Sequence, residues 1–300
     1  VLHFLLVLFV AVATGAGIMV SQYFGAKDRE KLSRSIGICI TLTAIASTML
    51  MIIGPIAVRP MLAFINTPES IIDWCADYLI ILLVGSWGFS YFNILSGILR
   101  GLGDSVSALM FLLISTALNI VLDIWFVAGL NMGVSGVALA TVIAQVVSAV
   151  LCAIKLRKMD SIFDLNLNMM KPKKEYVLQL LKLGLPSGLT QVIFSLAMIT
   201  VQSLTNTFGE MIIACNVIVM RVDGFAMMPN FTFGMTMTTY AGQNVGAKKI
   251  DRVEQGTRQG LAIAVGVSTF ITIIILIFGR YLMNIFTDTA ELVDLSMRMM

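Results

Sequence analysis

Ser21-Gln22-Tyr23-Phe24-Gly25-Ala26-Lys27 and Gly242-Gln243-Asn244-Val245-Gly246-Ala247-Lys248 are two copies of one sequence feature, set 221 residues apart. Each closes a long apolar segment rich in Gly, Ala and Thr, and each leads into a short charged run and a second apolar segment. The register continues without a gap: Glu30, Lys31 and Leu32 match Asp251, Arg252 and Val253. Farther on, Met61, Phe64, Thr67 and Glu69 recur as Met283, Phe286, Thr289 and Glu291, now 222 apart. A repeat of this length marks a duplicated structural unit.

Apolar residues make up 58% of the chain and charged ones 12%, and the mean hydropathy is +0.93. Soluble domains carry about 25% charged residues, so the chain is not of that class. Apolar runs of roughly twenty residues recur, the length a helix needs to cross a bilayer. The expected fold is an all-α integral membrane protein, since the alternating pattern of a transmembrane barrel is not seen. Cys39, Cys75, Cys152 and Cys215 are far apart, which suggests neither a disulfide frame nor a thiolate metal site. With His3 as the only histidine and the carboxylates scattered, no catalytic cluster, bound metal or organic cofactor is expected. The expected surroundings are lipid, with no nucleic-acid partner, and the expected state is a monomer.

Apolar patterning predicts helices near 1–24, 36–58, 74–99, 105–128, 132–154, 176–208, 211–243 and 257–279, with a ninth starting near 291. Basic residues test the topology. Lys27, Arg29, Lys31, Arg34, Arg100, Lys155, Arg157, Lys158, Lys171, Lys173, Lys174, Lys182, Lys248, Lys249, Arg252 and Arg258 all fall at alternate loops. Those loops are expected to be cytoplasmic, which makes this a multi-pass protein of the cell membrane. The second copy has a helix (176–208) ahead of its repeat and the first has no counterpart. The chain therefore reads as a fragment of a twelve-helix protein: two pseudo-symmetric six-helix bundles, here cut to about eight full helices plus part of a ninth. An even helix count gives parallel repeats. The expected division is an N-terminal bundle 1–158, a polar cytoplasmic linker 159–175 and a C-terminal bundle 176–300.

Several motifs in order resemble the multidrug and toxic compound extrusion (MATE) family. Gln22 and Gly25 with Ala26 and Lys27 resemble its motif at the end of the second helix, and Gln243 with Gly246 its partner at the end of the eighth. Arg100-Gly101-Leu102-Gly103-Asp104 resembles the turn between helices four and five, Asn119 through Asp123 the fifth helix, Gly133 through Gln145 the sixth, and Gly184-Leu185-Pro186 the seventh. The resemblance covers essentially the whole chain. It implies a twelve-helix secondary transporter that exports cationic, aromatic small molecules in exchange for H+ or Na+. The branch with a glutamate on the seventh helix (NorM-like) is disfavoured, because Gln191 or Phe194 stands there, and the DinF-like branch is favoured. In that branch the Asn and Asp matching Asn119 and Asp123 act with an aspartate on a first helix that this chain lacks. A flippase for lipid-linked oligosaccharides, from the same superfamily, is the alternative, with Arg221 its one strong cavity cation.

Asn119 and Asp123 are four apart, so they share a helix face, and Ser115 and Thr116 extend that stripe. A carboxylate inside a span costs roughly 2.5–3.5 kcal/mol to insert, so it should face a cavity or a partner. The stripe is either an ion-coupling site, with Na+ possible at Asp123, or a structural polar pair. Asn216 and Asp223, seven apart, either line a substrate cleft or sit at the interface. Gln191 and Gln202 form a one-sided polar stripe without a carboxylate. Met227 and Tyr240, with neighbouring methionines, read either as a pliable substrate wall or as packed and lipid-facing residues. Gly15, Gly17, Gly25 and Ala26 are expected to let helix backbones approach closely.

Overall fold

A computed structural model describes residues 2–64, 69–166, 168–284, 286–287 and 289–299, without the side chains of 2–11, 64, 70, 210 and 290. Val1, Thr67 and Met300, and the side chains of His3 and Phe64, lie outside the described residues. Among those described there is no strand. The helices are α1 (Leu2–Gly25), α2 (Arg29–Phe64), α3 (Glu69–Val84), α4 (Ser86–Gly101), α5 (Ser105–Ile124), α6 (Gly133–Arg157), α7 (Lys174–Thr205), α8 (Glu210–Gly246), α9 (Ile250–Asn284) and α10 (Ala290–Met299). Among the described residues six of these are long and apolar enough to cross a membrane, and α3 with α4 forms a pair bent by 49° that is either one broken span or a re-entrant loop.

Two expected boundaries moved for identifiable reasons. The predicted helix 74–99 is broken at Gly85, and an added Cβ there would lie 2.2 Å from a Val142 methyl, so α6 passes close enough to favour glycine at the break. The predicted helix 36–58 begins at Arg29, because Asp28 Oδ1 accepts the Lys31 amide hydrogen bond at 3.0 Å and caps the charged first turn. That bond holds the Asp28 carboxyl below the usual carboxylate range. α2 also continues through Pro55 and Pro60, which spans tolerate where their surroundings re-satisfy the backbone.

The helices pack into two compact units, Val1–Leu189 and Thr190–Met300. The boundary between them falls inside α7, beyond the 159–175 connector. The connector is not a free linker but a strap on the first unit. Arg29 grips both Asp164 carboxylate oxygens at 3.0 Å and donates to the Asp160 carbonyl at 2.8 Å. Ser33 Oγ accepts the Asp164 amide at 2.8 Å, and Thr41 Oγ1 donates to the Met170 carbonyl at 2.8 Å. Phe163 is 2% exposed in a core shared with Met19, Ile36, Leu99 and Leu180. In the second unit, Val219 and Val222 of α8 pack with Ile275 and Met283 of α9 and Val293 of α10.

Small residues set the helix spacing of the first unit. A Cβ on Gly15 would lie 2.8–2.9 Å from backbone atoms of Leu180 and Gly184, and one on Gly101 would lie 2.8 Å from the Gly17 carbonyl. The expected role of Gly15 thus has a direct geometric basis, whereas a Cβ on Gly17 would come no nearer than 3.4 Å to the Gly97 carbonyl.

The duplication is visible in the backbone. Ala26 N–H donates to Gln22 O, Lys27 to Phe24 and Asp28 to Tyr23; Ala247 donates to Gln243, Lys248 to Val245 and Lys249 to Asn244, every atom 221 residues on. Both are Schellman turns, and Lys27 and Lys248 both adopt φ 56°. The Arg100–Asp104 turn has the same three bonds with Gly103 in the left-handed position. A left-handed lysine costs about 1 kcal/mol that glycine avoids, so Lys27→Gly should leave the full-length protein equally stable or up to about 1 kcal/mol more stable. A lower melting temperature in detergent would contradict this.

The outer ends repeat as well. Arg59 pairs with Asp73 at 3.0 Å and Arg280 with Asp294 at 3.1 Å, again 221 apart. This corrects the 222 spacing read after the first apolar segment. Leu62 and Met283, both buried, occupy matching positions, whereas Met61 is only half-buried. Met61, which matches Met283 at a spacing of 222, is therefore out of structural register.

Candidate functional site

Three ties fix how α5 and α6 run past each other. At the loop end, Lys155 pairs with Asp104 at 3.2 Å; farther along, Ser148 Oγ donates to the Phe111 carbonyl at 2.9 Å; farther still, Asn119 Nδ2 donates to Thr141 Oγ1 at 3.4 Å. The helices are antiparallel, with Ala140, Ala144 and Ala149 buried along α6. Asp104 begins the series as the N-cap of α5, accepting from the Ser107 amide at 3.0 Å. Burial pushes its carboxyl up, but the Ser107 amide and hydroxyl and the Lys155 ammonium together outweigh this and hold it below the usual range.

The sign of that shift makes a prediction. A lowered folded-state value adds stability above the usual carboxylate value and loses it as pH falls through the folded value. Asp104→Ala should destabilise the full-length protein by about 1 kcal/mol at neutral pH. The gap from wild type should close as pH drops below about 4. A gap independent of pH in melting curves would remove Asp104 from the account.

Asn119 and Asp123 lie on this seam as expected. Thr141, the partner that Asn119 finds on α6, was missed by the sequence reading, because a lone threonine in an apolar helix carries no signal until the register is known. Asp123 Oδ1 is buried and lacks a hydrogen-bond partner among the described residues. It is shielded although it stands near the end of its helix. Immediately beyond it the chain widens into a π-helical turn, Trp125–Gly129, closed by the Leu130 amide donating to the Trp125 carbonyl at 3.0 Å. Such turns occur frequently at functional sites.

In the second unit, Asn216, Asp223 and Asn230 recur every seven residues on α8. Asp223 is exposed and Asn216 half-buried, its Nδ2 3.5 Å from the Met220 sulfur. Asn230, which the sequence reading did not single out, accepts from Ser268 Oγ at 2.7 Å. It lines a groove of about 400 Å³ with Leu261, Val265, Ser268 and Thr272 of α9. Met227 is 49% exposed. Tyr240 is held, its hydroxyl donating to the Arg252 carbonyl at 3.0 Å and its ring against Gly256, so it packs α8 on α9. Gln202 donates to Asn206, just beyond the end of α7, at 2.9 Å, and Gln191 is half-buried. The Arg221 guanidinium lies 5.7 Å from the Phe286 ring centre. Gln22 and Gln243 each supply the carbonyl that starts the repeated turn closing after Gly25 and Gly246. No group of three or more His, Cys, Asp or Glu side chains able to hold a metal occurs among the described residues.

The MatE family model matches residues 1–125 and 186–300. The probable multidrug resistance protein YoeA of Bacillus subtilis is 30% identical over 308 residues, covering 100% of this chain and 66% of its own length. The DNA damage-inducible protein F of Escherichia coli is 24% identical, covering 98% of this chain and 65% of its own. The chain thus spans just under two thirds of the length of these relatives. Among solved structures, an outward-facing multidrug resistance MATE transporter of the MOP superfamily aligns with TM-score 0.91 at 24% identity, covering 99% of this chain and 67% of that one.

Proposed function

The chain belongs to the MATE family, and from that premise we propose that the full-length protein is a secondary active exporter of organic cations driven by H+ or Na+ antiport. The chain is a multi-pass membrane protein, and we propose the cell membrane as its site, with the basic loops cytoplasmic. Support comes from one observation above the rest: a carboxylate inside a span, with Asp123 Oδ1 buried and unpaired, beside an Asn119–Thr141 bond that joins two helices. An intramembrane carboxylate of this kind is functional by default. It favours one orientation when a cation neutralises it, and a cationic substrate favours the other; coupling requires such differential binding. Asn216 and Asp223 extend the reading to the second unit as cleft contacts for a positively charged, aromatic substrate. The similarity to DNA damage-inducible protein F, together with the lack of a carboxylate at Gln191, supports the DinF-like branch. The flippase alternative leaned on Arg221, whose charge lies near the Phe286 ring.

The test is ethidium efflux from cells expressing the complete gene, with the proton and sodium gradients collapsed separately. Efflux should stop with one of them. Accumulation equal to that of cells without the gene would dismiss the reading.

A further inference from the structure

Among the described residues, four buried side-chain atoms have no hydrogen-bond partner: Ser90 Oγ, Asp123 Oδ1, Gln145 Oε1 and Ser296 Oγ. A serine hydroxyl can turn to find a partner. A carboxylate or amide oxygen only accepts, and both such atoms fall on the α5–α6 pair. Gln145 follows Thr141 by four residues and precedes Ser148 by three, and both neighbours bond α5. Its side chain therefore shares their face of α6. The register set by the three ties puts Gln145 level with Ser115, which is 2% exposed. Asp123 stands one turn beyond the Asn119–Thr141 bond and Gln145 one turn before it, about 12 Å apart along the seam.

A buried acceptor left without a donor is costly. α5 carries no lysine or arginine, and α6 carries none before Lys155, already paired with Asp104. Among the described residues no donor reaches either oxygen, which leaves both open to a mobile species. We infer that Gln145 Oε1 is a second, inner acceptor for the monovalent cation that Asp123 binds, so that the seam offers that ion two stations in series. The inference rests on the coupling reading above. A sodium ion would take Gln145 Oε1 as an oxygen ligand, and a hydronium ion would donate a hydrogen bond to it.

The test uses the full-length transporter in proteoliposomes, with 22Na+ and a lumenal pH dye as probes separating the two cations. Gln145→Met removes the acceptor at similar volume, and the ion concentration giving half-maximal drive should rise about tenfold. Gln145→Glu should lower it. A merely structural glutamine would alter melting temperature and total transport but not half-saturation. If Gln145→Met does not fold, Gln145→Glu and Gln145→Asn carry the comparison. Half-saturation within twofold of wild type in the variants, with Asp123→Asn still abolishing drive, would overturn the inner station and leave the coupling reading standing. If Asp123→Asn also keeps its drive, both fall.

Discussion

Gly15→Leu should abolish the folded first unit. A Cβ at Gly15 would already lie 2.8 Å from the Gly184 nitrogen and the Leu180 carbonyl oxygen and 2.9 Å from the Gly184 Cα. All three are backbone atoms of α7, so no rotamer change can relieve the clash. Overpacking against side chains costs about 1–3 kcal/mol, and here the helices themselves must separate, which places the cost at or above that range. Separation would also strain Tyr23 against α7, where its hydroxyl donates to Gln179 at 2.6 Å and its ring lies 6.2 Å from that of Tyr176. Even Gly15→Ala should lower stability measurably, whereas Gly224→Ala meets nothing within 4 Å and should be neutral or stabilising by about 0.5–1 kcal/mol. The measurement is the monodisperse fraction and melting temperature of the full-length protein in detergent. A wild-type profile for Gly15→Leu would mean that α1 and α7 do not cross at these residues.

The all-helical membrane fold and the duplication were legible because they rest on hydropathy and identity, which local sequence carries. What was not legible arises where one helix meets another. The break at Gly85 falls where Val142 of α6 leaves no room for a side chain. The strap from Met159 to Met170 looks like a polar linker until Arg29 and Ser33 of α2 are seen to hold it. The one-residue slip in the repeat survived because Met61 and Met283 match as letters; the paired Arg59–Asp73 and Arg280–Asp294 bridges set the register instead. At the candidate site, Asn119 and Asp123 were readable as polar residues four apart in an apolar helix. Thr141 and Gln145 were not, since their meaning comes from facing α5.

Asp123→Asn should separate folding from coupling. Asparagine keeps the shape of the side chain and removes the charge. A buried, unpaired acceptor costs about 1–3 kcal/mol, and more when charged, so the variant should be at least as stable as wild type. Its ion-driven drug efflux should nevertheless fall by more than about tenfold, since a neutral amide loses the differential cation binding that biases the two orientations. Asn119→Ala removes only the 3.4 Å bond to Thr141, so it should weaken ion affinity without abolishing drive. The pair of results matters more than either alone. Loss of both stability and efflux in Asp123→Asn would make Asp123 a structural residue of the seam. Full stability with gradient-driven efflux intact would move the coupling site elsewhere in the complete protein. Only a stable variant without gradient dependence places the energy-coupling step at the end of α5, beside the π-helical turn.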